Sequence, residues 1–186
     1  MAESASRKAP STTEGQQLNK LALNAQNGDD EAFGQIFDEI SDRIYRFLAF
    51  RVVNQEDAKD LTSQTFLEAW QNLSRFDPNK SFLTWIFTIA RYKLIDHYRK
   101  YKSTVSLDAV TNLVDSTDIQ TETENKAASE QVLSALNRLP ELYQTVLKLK
   151  LVEELKYSEI AEITGRSENN LRVIVKRGLD KLRSNL

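Results

Sequence analysis

Apolar residues recur at three- and four-residue spacing along most of the chain, a period that predicts helices. Leu18, Leu21, Ala22 and Ala25 mark a first helix, and Asn27-Gly28-Asp29 ends it, with Asp29 or Asp30 placed to cap the next. Phe33, Ile36, Phe37, Ile40, Ile44, Phe47 and Leu48 then form one stripe of a long second helix. Asn54 is an N-cap candidate, with Glu56 and Asp57 in the first turn, where acidic groups are favoured. Leu61, Phe66, Ala69, Trp70 and Leu73 continue as a third helix, and Asp77-Pro78-Asn79 is a turn signal. A fourth helix is expected over about 81–100. Residues 1–15 are small and polar and read as a disordered tail, and 103–127 lack sustained periodicity and read as a flexible linker. Beyond it, Ala128, Val132, Ala135, Leu136 and Leu139 make a stripe, and Pro140 suits a first helical position ahead of Tyr143, Val146 and Leu147. A short helix (Ile160, Ala161, Ile163), a break at 164–167 and a last helix follow. Strand-like alternation is scarce. The expected fold is all-α: two small helical domains, 16–102 and 128–186, on an acidic tether.

The fourth helix does not fit a simple one-sided pattern. Leu83, Ile86, Phe87, Ala90, Leu94, Tyr98 and Tyr101 form a sufficient core stripe. Trp85, Ile89, Tyr92, Asp96 and Arg99 nevertheless fall on nearly the opposite face. Either the helix is central and buries both sides, or its aromatic and basic residues serve unpaired bases and a single-stranded backbone.

Charge sharpens this picture. The formal net charge is -2, with 25 basic against 27 acidic residues. Residues 91–102 nevertheless carry a local +4, residues 103–135 a local -5 and residues 166–183 again +4. The last +4 patch lies on KYSEIAEITGRSENNLRVIVKRGLDKLR (156–183), a short helix, a tight turn containing Gly165 and a second helix. That is the pattern of a helix-turn-helix. Leu171, Ile174, Val175, Leu179 and Leu182 give the second helix a core face, while Asn169, Asn170, Arg172, Lys176, Arg177 and Lys181 lie on the other. Asn pairs with adenine and Arg with guanine in a major groove, and Ser167 as N-cap leaves backbone amides for a phosphate. The plain alternative is a helical hairpin with a solvated basic face.

Other chemistry is hard to find. Cysteine is absent, and His97 is the single histidine, so thiolate sites, His clusters and a His-based triad are not expected. No GxxxxGK loop, HExxH or GxSxG occurs. No catalytic residue, metal ligand or cofactor is assigned. The N-terminus lacks the apolar run of a signal peptide, and the expectation is a soluble cytoplasmic protein without membrane contact of its own.

DAKDLTSQTFLEAW (57–70) followed by RFDPNKSFLTWIFTIARYKLIDHYRK (75–100) resembles region 2 of a bacterial RNA polymerase sigma factor. LPELYQTVLKLKLVEELKYSEIAEITGRSENNLRVIVKRGLDKLR (139–183) resembles region 4. Two such regions with a short linker are similar to the extracytoplasmic-function (ECF, group IV) class of the sigma-70 family. The resemblance implies that the chain binds core RNA polymerase, at the β′ clamp helices and the β flap, and directs promoter-specific initiation without being an enzyme. It implies core contacts from Asp60, Ser63, Gln64, Phe66 and Trp70. It implies −10 promoter contacts, including strand melting, from Lys80, Trp85, Arg91, Tyr92, Lys93, Asp96 and Arg99. It implies −35 contacts from Arg166, Ser167, Asn169, Asn170, Arg172, Lys176 and Arg177. Many members are held inactive by an anti-sigma factor, which the resemblance implies here too. The family often has Gln-Glu at Ser63-Gln64, Asn at Tyr92, and Ser-x-Gly-Thr-Val where this chain reads Ser167-Glu168-Asn169-Asn170-Leu171. The promoter bases are therefore not carried over. The rival function is a stand-alone helix-turn-helix regulator that binds an operator without polymerase.

Overall fold

The computed structural model describes residues 12–52, 54–104 and 134–185. The linker expected over 103–127 lies outside them except for its first two residues, which end a helix. Seven α-helices are described in full: α1 (Thr12–Gln26), α2 (Asp30–Ala49), α3 (Gln55–Gln71), α4 (Phe82–Thr104), α5 (Glu141–Leu151), α6 (Tyr157–Thr164) and α7 (Glu168–Asn185). A 3-10 turn at Leu73–Arg75 separates α3 from α4, helical residues 134–137 precede α5, and there is no strand among the described residues.

Local sequence sets most of the boundaries. Asp29 accepts from the Ala32 amide at 3.1 Å and Asn54 from the Asp57 amide at 2.7 Å, so both are N-caps. Gly165 ends α6 at φ 67, the left-handed region that glycine enters without a Cβ clash. Two boundaries differ from expectation. α1 starts at Thr12, inside the stretch read as a tail. Pro140 takes the cap position and Glu141 the first helical one; at ψ 146 Pro140 is still extended.

α1 to α4 enclose the first core. Leu18, Ala22, Ile36, Ile40, Ile44, Phe47, Leu48, Ala58, Leu61, Leu83, Ile86, Phe87, Ala90 and Leu94 are all buried. Phe47 and Phe87 meet edge to face at 5.3 Å, each contributing about 1.5–3 kcal/mol through burial. Phe37 departs from its expected place in the α2 stripe: it is 43% exposed, because the stripe is wider than the surface α3 covers. The second core joins Val146, Leu147 and Leu149 of α5 to Ile160 and Ile163 of α6 and Leu171, Ile174, Val175 and Leu182 of α7. Gly178 lets α7 pass close to α5, since a Cβ there would sit 2.9 Å from Leu147 Cδ1.

The two cores touch. α6 packs along α4. Arg43 of α2 bridges Glu153, at 2.9 Å, and Glu14 of α1, at 3.1 Å. Arg51 reaches the Glu141 carboxylate at 3.2 Å and the Thr145 hydroxyl at 2.7 Å. Lys148 donates to the Arg46 carbonyl and lies 4.7 Å above the Phe50 ring.

Candidate polymerase and nucleic-acid interfaces

One face of α3 is a ridge with a polar margin. Asp60, Ser63 and Gln64 are exposed, and Leu67 is 56% and Trp70 39% exposed on the following turns. Phe33 of α2 meets the Trp70 ring edge-on at 4.9 Å, and Phe37 meets Phe66 at 4.8 Å. Phe66 itself is buried, so it supports this surface from beneath and does not form it. Phe37 and Leu67 are the residues that sequence reasoning missed. Leu67 lay off every core stripe, which was the available signal; Phe37 lay on one and gave none.

The second surface runs from the α3–α4 loop along α4. Asp77 accepts from the Asn79 amide and from Asn79 Nδ2, both at 3.0 Å, which closes the turn. Lys80 is exposed on it, and Ser81 caps α4 through the Thr84 amide at 3.2 Å. The two halves of α4 differ in how far they are covered. Near its start both faces are covered: Ile89 is buried, and Trp85 is half-buried against Phe76 and Phe82 at 5.4 and 5.5 Å. Further on, Tyr92 is 59% exposed, and Asp96 and Arg99 follow it on the open face as a pair 3.7 Å apart. The Arg91 guanidinium lies 5.8 Å from the Tyr92 ring centroid. Lys93 forms a salt bridge with Glu68 of α3, which turns it toward the first core's rim. His97 faces Asp57 at 3.7 Å.

The third surface is α7. Arg166, Ser167, Asn169, Asn170, Arg172, Lys176 and Arg177 are all exposed. Ser167 Oγ accepts from the Asn170 amide at 3.3 Å and so caps the helix. Arg172 pairs with Glu168 at 3.0 Å and lies 4.6 Å from the Tyr157 ring centroid, so its guanidinium sits over the first residue of α6. The core residues lie behind, as the spacing predicts. The described residues contain no group of three or more His, Cys, Asp and Glu able to hold a metal ion, and no helix among them is long and apolar enough to cross a membrane.

A helix-turn-helix at one end and a helix face carrying exposed aromatic and charged residues at the other belong to an all-helical protein of two domains. The Sigma-70 region 2 family matches residues 36–104, and the Sigma-70, region 4 family matches residues 129–182. Among curated relatives, the ECF RNA polymerase sigma factor SigW of Bacillus subtilis is 29% identical over 91% of this chain and 96% of its own length. RNA polymerase sigma factor YlaC of the same organism is 32% identical over 84% of this chain and 91% of its own. ECF RNA polymerase sigma factor BldN of Streptomyces coelicolor is 28% identical over 95% of this chain and 68% of its own. Two solved structures share the fold. CnrH in complex with the cytosolic domain of CnrY has a TM-score of 0.70, 23% identity, and covers 90% of this chain and 96% of its own. The sigma factor RpoE in complex with the anti-sigma factor NepR, from Bartonella quintana, has 0.72 and 22%, covering 82% and 95%.

The chain belongs to the sigma-70 family of RNA polymerase sigma factors, in its ECF class. It is an alternative sigma factor that directs transcription initiation, and it is not an enzyme.

Proposed function

We propose a division of labour among the three surfaces. The α3 ridge, with Asp60, Ser63, Gln64 and Trp70 at its surface and Phe66 beneath, docks on the β′ clamp helices of core polymerase. Lys80 and the α4 stripe of Trp85, Arg91, Tyr92, Asp96 and Arg99, with Lys93 at its flank, hold the unpaired −10 strand. α7 reads the −35 duplex through Arg166, Ser167, Asn169, Asn170, Arg172, Lys176 and Arg177, and its domain contacts the β flap. Capturing unpaired bases offsets the few kcal/mol needed to unstack each of them. The chemistry of RNA synthesis stays with the polymerase. The protein works in the cytoplasm, under an anti-sigma factor.

The observation that carries this reading is the change in α4 along its length. Its first half is packed on both faces, and its second half turns an unpacked aromatic and charged stripe outward. A helix braced in that way can present a rigid stacking surface to single-stranded DNA.

The packed pair of domains must part to act. The −35 and −10 elements lie roughly 25 base pairs apart, about 85 Å at 3.4 Å per step, whereas α4 and α6 are in contact.

The test is co-elution of the purified protein with sigma-free core polymerase on a sizing column. Stoichiometric co-elution that a housekeeping sigma factor competes away is expected. Asp60→Lys combined with Gln64→Arg should abolish it while leaving helicity intact, since both side chains are exposed. Retained co-elution by that variant overturns the clamp assignment. Operator binding by the free protein, with no affinity for core, favours the stand-alone regulator.

A further inference from the structure

α1 precedes the part of the chain that matches region 2, which begins at residue 36. Two of its side chains reach the loop between α3 and α4. Asn19 straddles the start of α4: its Nδ2 donates to the Lys80 carbonyl at 2.6 Å and its Oδ1 accepts from the Phe82 amide at 2.8 Å. Gln26, about two turns further on, donates from Nε2 to the Leu73 carbonyl at 2.9 Å and the Phe76 carbonyl at 3.0 Å. These partners are 47 to 63 residues away in sequence, so the contacts are tertiary. Asn19 grips two backbone groups by donating and accepting in one plane, and Gln26 grips two by using both donors of its amide nitrogen. Phe82 is the first residue of α4, so Asn19 satisfies one of the amides that a helix start leaves without an internal partner. Together the two amides hold both ends of the loop that displays Lys80, and they bracket the Phe76–Phe82–Trp85 aromatic cluster.

We propose that Asn19 and Gln26 are positioning residues for −10 recognition: from α1 they lock the backbone of the α3–α4 loop into the shape that presents Lys80 to the unpaired strand, above the packed Phe76–Phe82–Trp85 cluster. The inference rests on the reading of that loop and α4 as the −10 surface. A loop free to change shape would have to be ordered at the moment of capture, and it would accommodate wrong bases as readily as right ones. Locking it beforehand favours fast capture and strict base choice.

The experiment uses holoenzyme assembled from core polymerase and the full chain. A promoter is first recovered by transcription from a pool of duplex templates randomised upstream of a fixed transcript. Asn19→Ala and Gln26→Met, made singly, should leave co-elution with core and the response to −35 base changes intact. Promoter opening, read by permanganate reactivity, should slow about tenfold. The penalty for single −10 base changes should shrink by a similar factor, and amide exchange over residues 72–82 should quicken in the free protein. Asn19→Asp, which keeps the acceptor for Phe82 and loses the donor, should fall between. Undiminished −10 discrimination in both single variants despite faster exchange overturns the proposal. So does a uniform loss at −10 and −35 that tracks thermal stability, which marks a scaffold role. Tyr92→Ala and Arg99→Ala separate the two readings. If they too leave opening unchanged, the −10 surface is wrongly placed and the proposal falls with it. If they impair opening and the α1 variants do not, only the positioning role of Asn19 and Gln26 is wrong.

Discussion

Tyr92 and Phe87 sit five residues apart on α4 and have opposite fates. Phe87 is buried against Phe47, and Tyr92 is open to solvent. Removing each therefore has a different consequence. Tyr92→Ala removes a stacking surface without opening a cavity, so stability should stay within about 0.5 kcal/mol, the range of ordinary surface changes. Base–aromatic stacking is worth about 1–3 kcal/mol, so promoter opening by holoenzyme should fall roughly five- to a hundredfold while −35 duplex binding is kept. Arg99→Ala should act in the same direction, because Arg99 is exposed and so is Asp96, its ion-pair partner among the described residues. Permanganate reactivity set beside −35 duplex binding checks both. Phe87→Ala should instead cost about 3–5 kcal/mol, read as a lowered urea midpoint. Equal loss of opening and of −35 binding in Tyr92→Ala would point to misfolding.

At the scale of elements, the helix-turn-helix depends on how α6 stops. Gly165 at φ 67 turns the chain so that Ser167 can cap α7 two residues later. Gly165→Ala puts a Cβ into the left-handed region and should destabilise the second domain by about 1–2 kcal/mol. Thermal unfolding followed by circular dichroism should show it, and −35 binding should weaken only as the folded fraction falls. This element was readable in the sequence because its determinants are local: a glycine, a cap and a core stripe within 28 residues. The caps at Asp29 and Asn54 were readable for the same reason, as each acts on an amide three residues away. α4 was readable only in part. Its 3.6-residue period places Trp85, Ile89, Tyr92, Asp96 and Arg99 on one face. It does not say that Phe76 and Phe82 pack on the first of these while the last three stay exposed among the described residues. For Lys93, position on the helix suggested DNA, while the fold supplies Glu68 as a partner.

At the scale of the molecule, the contact between the domains is held by buried charge. Glu153 is 3% exposed and bonded to Arg43, with its other oxygen lacking a partner among the described residues. Beside it, burial pushes the Lys148 amine down to about 7, with Arg46 and Arg51 adding to the shift and Glu153 opposing it. Separation returns Lys148 to solvent and to its ordinary value of 10.5. The packed state therefore binds fewer protons than the separated one, so the contact should strengthen as pH rises above about 7 and be insensitive to pH below it. The closing constant should rise by up to about tenfold per pH unit between pH 7 and 9. With no native cysteine, Gln35→Cys and Ser184→Cys place a fluorescent pair on the two domains to read it by energy transfer. Lys148→Met should flatten the profile. A profile unchanged by Lys148→Met would assign the dependence to another group.

The sequence by itself determined the helices, their caps, the helix-turn-helix and the resemblance to sigma regions 2 and 4, because these follow from residues a few positions apart. Only the tertiary structure decided which apolar residues stay outside. It exposes Phe37, Leu67 and Tyr92 and buries Phe66. Only the tertiary structure showed Asn19 and Gln26 holding a loop about fifty or more residues away, and α6 lying against α4. Side-chain period gives an angle around a helix axis; what lies at that angle depends on elements the chain brings back from far along its length.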